Sequence, residues 1–137
     1  MRAVRLNFSK TGRAIYISHL DINRMMTRAV RRAKLPMWYT EGFNPHPYLT
    51  FALPLSLGQS SDCEYMDIRI EGGITDEEIM NRLNAVLPEG VKILSVSAPV
   101  YDAKEIEKAL YFVKLIFKDA ETSKSFAQDF PALKVIK

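Results

Sequence analysis

Two histidines, His19 and His46, fall inside one stretch from Phe8 to Leu57, together with Asp21 and Glu41. Imidazole titrates near neutral pH, so either could serve as a general acid or base. On a basic surface such a group would suit metal-independent cleavage of RNA, with His19 the catalytic candidate. Two imidazoles and a carboxylate could instead hold a metal. The spacing matches no standard ligand set, and residues 19 and 21, two apart at a helix start, do not share a face. No metal and no cofactor is therefore assigned. Ser9 and Ser18 lack a histidine placed to activate them. The single cysteine, Cys63, lies between Asp62 and Glu64, acids that raise rather than lower a thiol pKa. Lys10-Thr11-Gly12 lacks the spacing of a phosphate-binding glycine loop.

Cations are a stronger signal. Residues 1–36 carry nine Lys/Arg against one acid, a net of +8, and residues 37–137 carry ten against fifteen, a net of −5. Such polarity within one chain is the footprint of a polyanion binder. A solvated basic helix facing acids of its own protein is the plain alternative. Arg24, Arg28 and Arg31 recur at i, i+4 and i+7 on one helical stripe, with Arg32 beside them. Arg5, Lys10 and Arg13 precede them. Trp38, Tyr39, Phe43 and Tyr48 surround the loop TEGFNPHP and suit base stacking or the edge of a core.

The elements that must position these groups follow from periodicity. Val4, Leu6 and Phe8 alternate with Arg5 and Asn7, which predicts a half-buried strand over Arg2–Phe8. Ser18 is placed to cap a helix whose apolar residues, from Leu20 to Ala33, fall at helical spacing. Pro36 ends that helix near Lys34. Residues 40–47 are irregular because of Gly42, Pro45 and Pro47. Alternation predicts strands over Tyr48–Leu53 and Cys63–Ile70. Thr75 and Glu78 form a capping-box pattern ahead of a helix carrying Ile79, Leu83 and Val86, and a strand follows over Val91–Ala98.

The order β-α-β-β-α-β predicts an α+β fold, a ferredoxin-like split β-α-β antiparallel sheet with two helices on one face, over residues 1–100. Residues 101–137 then read as the start of a second β-α-β unit. It has a strand over Leu110–Phe117, a helix over Ala120–Phe130 capped by Asp119, and a strand over Ala132–Ile136. A strand at the last residue suggests a truncated chain. No apolar run approaches a membrane span and the N-terminus lacks a signal-peptide core. One cysteine allows no internal disulfide. Both point to the cytoplasm.

The combination FSKTG, SHLD, RRAKLP, EGFNPHP and FALPLSLG, followed by EYMDIRI and TDEEIMNRLNAVLPEG, resembles the bacterial radical-SAM-linked domain of unknown function. The matching positions include Phe8, Ser9, Lys10, Gly12, Ser18, His19, Asp21, Glu41, Gly42, Phe43, Asn44, Pro45 and Pro47. The family commonly has Arg where this chain has His46, which weakens a catalytic role for His46. The resemblance implies a radical S-adenosylmethionine protein as partner, adjacent or fused. With one cysteine this chain holds no radical-enzyme cluster itself. In topology the family is also similar to CRISPR repeat-processing endoribonucleases, a likeness of fold only. The expected function is a non-catalytic accessory domain that binds RNA, tRNA or rRNA, through the arginines, while Ser18, His19, Asp21, Glu41, Phe43, Asn44 and His46 form a motif region touching a base or the partner. The alternatives are a protein–protein adaptor for the radical enzyme and a metal-independent endoribonuclease.

Overall fold

The computed structural model describes residues 1–130. The chain divides into two units, Met1–Glu107 and Lys108–Lys137. The first is a four-stranded sheet with two long helices. Strand β1 is Arg2–Lys10, and a 3-10 turn over Gly12–Tyr16 leads to helix α1, His19–Arg32. Strands β2 (Leu49–Phe51) and β3 (Ser61–Ile70) follow, then helix α2 (Asp76–Asn84) and strand β4 (Val91–Ser97). The strand order is β2-β3-β1-β4, and every pairing is antiparallel.

Alternation sorts the sheet into two faces. Val4, Leu6 and Phe8 of β1 and Met66, Ile68 and Ile70 of β3 are buried in one cluster. Ile22, Met26, Ala29 and Val30 of α1 and Ile79 and Leu83 of α2 join it. Both helices thus cover one face, because each has a single apolar stripe to bury. The opposite face carries Arg5, Asn7, Asp67 and Arg69, all half-buried.

Local chemistry fixes the helix ends. The Ser18 hydroxyl accepts a hydrogen bond from the Asp21 amide at 3.2 Å and donates to the Asp21 carboxylate at 2.8 Å. Ser18→Ala is expected to cost about 1 kcal/mol of stability by removing this cap, measurable as a lowered urea midpoint. At the other end Lys34 turns to φ +52°, and the Leu35 amide returns to the Val30 carbonyl at 3.2 Å. Thr75 caps α2 through the Glu78 amide, while the Glu78 carboxylate pairs with Arg82 instead of closing a reciprocal box.

In the second unit, helix α3 spans Ala120–Asp129 with Asp119 as its cap. Leu110–Phe117, expected as a strand, has no regular structure, and all of it except Phe117 is exposed. No partner strand for it exists among the described residues, so no ladder fixes this exposed segment and its backbone groups face water. The Ala132–Ile136 strand expectation lies outside the described residues.

Candidate nucleic-acid interface

Helix α1 presents its core stripe to the sheet and Arg24, Arg28 and Arg32 to a groove beside α2. The groove encloses about 720 Å³. One wall is Asp21, Arg24, Met25, Arg28, Ala29 and Arg32, and the other is Ala85, Val86, Leu87 and Pro88, where α2 ends and the chain turns toward β4. Arg24, Arg28 and Arg32 are spaced four apart. Such a row winds slowly around a helix and here turns toward α2. Arg31 projects away from the core stripe, roughly 140° around the helix from Met26 and 100° from Val30. It is exposed but does not line the groove. Of the four arginines expected along α1, Arg24, Arg28 and Arg32 therefore line the groove together and Arg31 lies outside it.

Charge compensation is uneven along this row. Arg24 Nη1 lies 3.3 Å from Asp21 Oδ1, with both side chains more than half exposed, so the pair is worth little. Among the described residues no carboxylate lies within ion-pair distance of Arg28, Arg31 or Arg32. Like charges four apart on a helix repel, and a multivalent anion relieves that repulsion. Arg13, exposed on the 3-10 turn, adds a further cation near the start of α1.

The other two cations expected at the surface are used elsewhere. Arg5 sits on the open face of the sheet and holds Asp67 through Nε at 2.7 Å and Nη2 at 2.8 Å. The two residues face each other across β1 and β3. The hydrogen bonds to Asp67 raise the Arg5 pKa further, and burial opposes them. Lys10 is 1% exposed. As the last residue of β1 it falls on the core side, and its Nζ donates to the Ile17 carbonyl at 2.8 Å. It ties the end of β1 to the segment that enters α1 and presents no charge to a phosphate.

Burial lowers the Lys10 pKa, with Glu64 acting against it. A lysine whose folded pKa lies below its unfolded value, about 10.4, is penalised while charged, and the penalty fades as pH climbs between the two values. Relative to Lys10→Met, the wild-type protein should gain stability as pH rises through that alkaline window. Paired urea titrations at neutral and alkaline pH measure the difference.

His19 is half-buried, edge-on to Phe51 with ring centroids 5.1 Å apart. It borders a cavity of about 10 Å³ with Phe8, Lys10, Phe51 and Glu64. Among the described residues no hydrogen bond to its ring is found, and Asp21 is engaged by Ser18 and Arg24. No side chain among the described residues is placed to orient this imidazole as a base. Among the described residues no three His, Cys, Asp or Glu side chains converge as a metal site.

The TEGFNPHP segment forms the end of a narrow hairpin. The Trp38 amide donates to the Arg69 carbonyl at 2.9 Å, and the Tyr48 amide to the Trp38 carbonyl at 3.1 Å. The Arg69 guanidinium lies over both rings, 5.2 Å from Trp38 and 4.2 Å from Tyr48. Farther out, the Thr40 amide donates to the His46 carbonyl, and the His46 amide donates to the Thr40 hydroxyl at 3.2 Å. His46 Nδ1 lies 3.0 Å from the Asn44 carbonyl. His46 thus clasps the loop. Glu41, Phe43 and Asn44 are exposed at its tip.

Sequence reading finds the arginines but not the second wall of their groove, Val86 to Pro88, which looks like an ordinary helix end. It also misses Arg69 as the centre of the aromatic stack. Position 69 alternates outward as a strand residue should, and only the pairing brings Trp38 and Tyr48 to it.

The fold and groove together define a small α+β domain with a basic, partly apolar cleft along its first helix. The chain belongs to a bacterial family described as an uncharacterized protein conserved in bacteria (DUF2344), whose model matches residues 3–136. No curated protein matches it. Among the described residues no helix is long and apolar enough to cross a membrane.

Proposed function

We propose that the protein is a non-catalytic accessory domain that grips RNA backbone in the α1–α2 groove and acts with a radical S-adenosylmethionine protein. The observation that carries the RNA reading is the row Arg24-Arg28-Arg32 along one wall, with Arg28 and Arg32 lacking carboxylate partners among the described residues. Guanidiniums bind phosphates through paired donors, and such contacts position a strand without reading its sequence. The apolar wall of Val86, Leu87 and Pro88 gives sugar edges a surface to pack on. The radical enzyme as partner follows from the sequence resemblance given above. The strand order and antiparallel pairing support reading the sheet as a ferredoxin-like split β-α-β unit, whose helices form the groove.

Fluorescence polarisation with labelled tRNA and with ribosomal RNA fragments tests this. Affinity should fall steeply between roughly 50 and 200 mM salt, as released counterions require. Absence of binding at the low end, or binding indifferent to salt, would remove the RNA role.

A further inference from the structure

The hairpin tip is a different kind of surface from the arginine groove. Phe43 is fully exposed, yet the residues beneath it are fixed by the Thr40–His46 hydrogen bonds and by the Trp38–Arg69–Tyr48 stack. Gly42 reaches φ +126°, a conformation other residues rarely adopt, and it turns the chain so that Phe43 follows at the apex. The hairpin beneath the exposed Phe43 is thus ordered before any partner arrives, so less backbone freedom is lost on insertion than for a Phe on a loose loop.

The charge around it selects the partner. From Leu35 to Ile68 the sequence has no Lys or Arg, and its acids are Glu41, Asp62, Glu64 and Asp67. Glu41, two residues from Phe43, is exposed, and among the described residues it pairs with no cation. A nucleic acid approaching the apex meets the exposed Glu41 carboxylate, which opposes phosphate contact, while Arg69, the cation at the hairpin's base, is half-buried and stacked on Trp38 and Tyr48. A protein offering an apolar socket beside a basic side chain satisfies both Phe43 and Glu41.

We propose that Glu41–Asn44 is a docking tip for a protein partner, with Phe43 entering an apolar socket and Glu41 meeting a Lys or Arg at its rim. Naming the radical S-adenosylmethionine protein as that partner rests on the functional reading above. The groove and the tip then have separate ligands, RNA on the helical side and protein at the hairpin.

The test is calorimetric titration of the full chain with the purified radical S-adenosylmethionine protein from the same organism, alongside tRNA polarisation. Phe43→Ala should weaken the protein complex about 30-fold, the loss typical of a central interface aromatic. Phe43→Trp should keep most of the affinity, and Glu41→Lys should weaken it. Both Phe43 variants should bind tRNA within about twofold of wild type, the scatter expected of a residue outside the phosphate contacts. Tight wild-type binding that Phe43→Ala leaves unchanged overturns the docking role and spares the partner reading. A loss of tRNA affinity in Phe43→Ala, with the protein complex intact, makes the tip a nucleic-acid wedge and also overturns it. Failure of the wild type to bind the radical enzyme sinks the partner reading and this inference with it.

Discussion

Converting Arg24, Arg28 and Arg32 together to Gln is expected to reduce RNA affinity on the order of 100-fold at moderate salt, and to flatten the salt dependence by about three logarithmic units per decade of salt. The reasoning is geometric. The three side chains share one wall of a single groove, so an extended phosphate backbone can meet all of them at once. Gln keeps much of the side-chain length and a good helix propensity, so α1 should remain folded. The companion variant Arg31→Gln should matter far less, because Arg31 points away from the groove. A slope unchanged in the triple variant, or a loss as large in Arg31→Gln, would place the RNA elsewhere.

The largest stability effect is expected at Gly90. Its backbone has φ +89°, and a Cβ there would stand 2.4 Å from the Thr11 carbonyl oxygen and 2.9 Å from the Ala14 Cβ. The Gly90 carbonyl also accepts the Thr11 amide at 2.8 Å. The turn after β1 is thereby pressed against the turn before β4, with no space for a methyl group. Gly90→Ala should cost roughly 3 kcal/mol or more, combining backbone strain with a clash against main chain. In thermal melts that is a fall of roughly 10 °C. Gly72 separates the two contributions. It has φ +83°, and a Cβ there would meet nothing within 4 Å, so Gly72→Ala should cost only the left-handed penalty, about 1–2 kcal/mol. Equal losses at the two sites, in urea or heat, would mean that close packing at Gly90 contributes nothing.

The two expectations concern linked parts of the molecule. Thr11 and Ala14 belong to the segment that Lys10 holds through the Ile17 carbonyl, and that segment leads directly into α1. The arginine row is thus aimed by contacts near the end of β1. A loosened Gly90 turn should weaken RNA binding as well as stability.

Much of the architecture is written in local pattern. The alternation of Val4, Leu6 and Phe8 and the spacing of Ile22, Met26, Ala29 and Val30 each specify which side of an element is apolar, and the buried cluster contains all of them. Ser18, Thr75 and Asp119 are caps because a short polar side chain satisfies amides of its own first turn. Such features depend on neighbours a few residues away, so the sequence states them. The strand expected over Leu110–Phe117 shows the limit of the same reasoning: among the described residues nothing pairs with it, and strand-like composition alone does not make a strand.

Where the cations sit, and what they contact, depends on residues at longer range. Lys10 continues the inward alternation of β1, yet its charge suggests the surface, and only the Ile17 carbonyl waiting inside reconciles the two. Arg5 is neutralised because the register sets it opposite Asp67, 62 residues away. Arg32 rather than Arg31 joins the groove because α2 ends on that side of α1. The chain by itself determined the faces of its helices and strands and the concentration of positive charge near its start, since both are properties of local composition. The tertiary structure alone decided which cations among the described residues lack a carboxylate partner, because pairing and burial depend on residues brought together from distant parts of the chain.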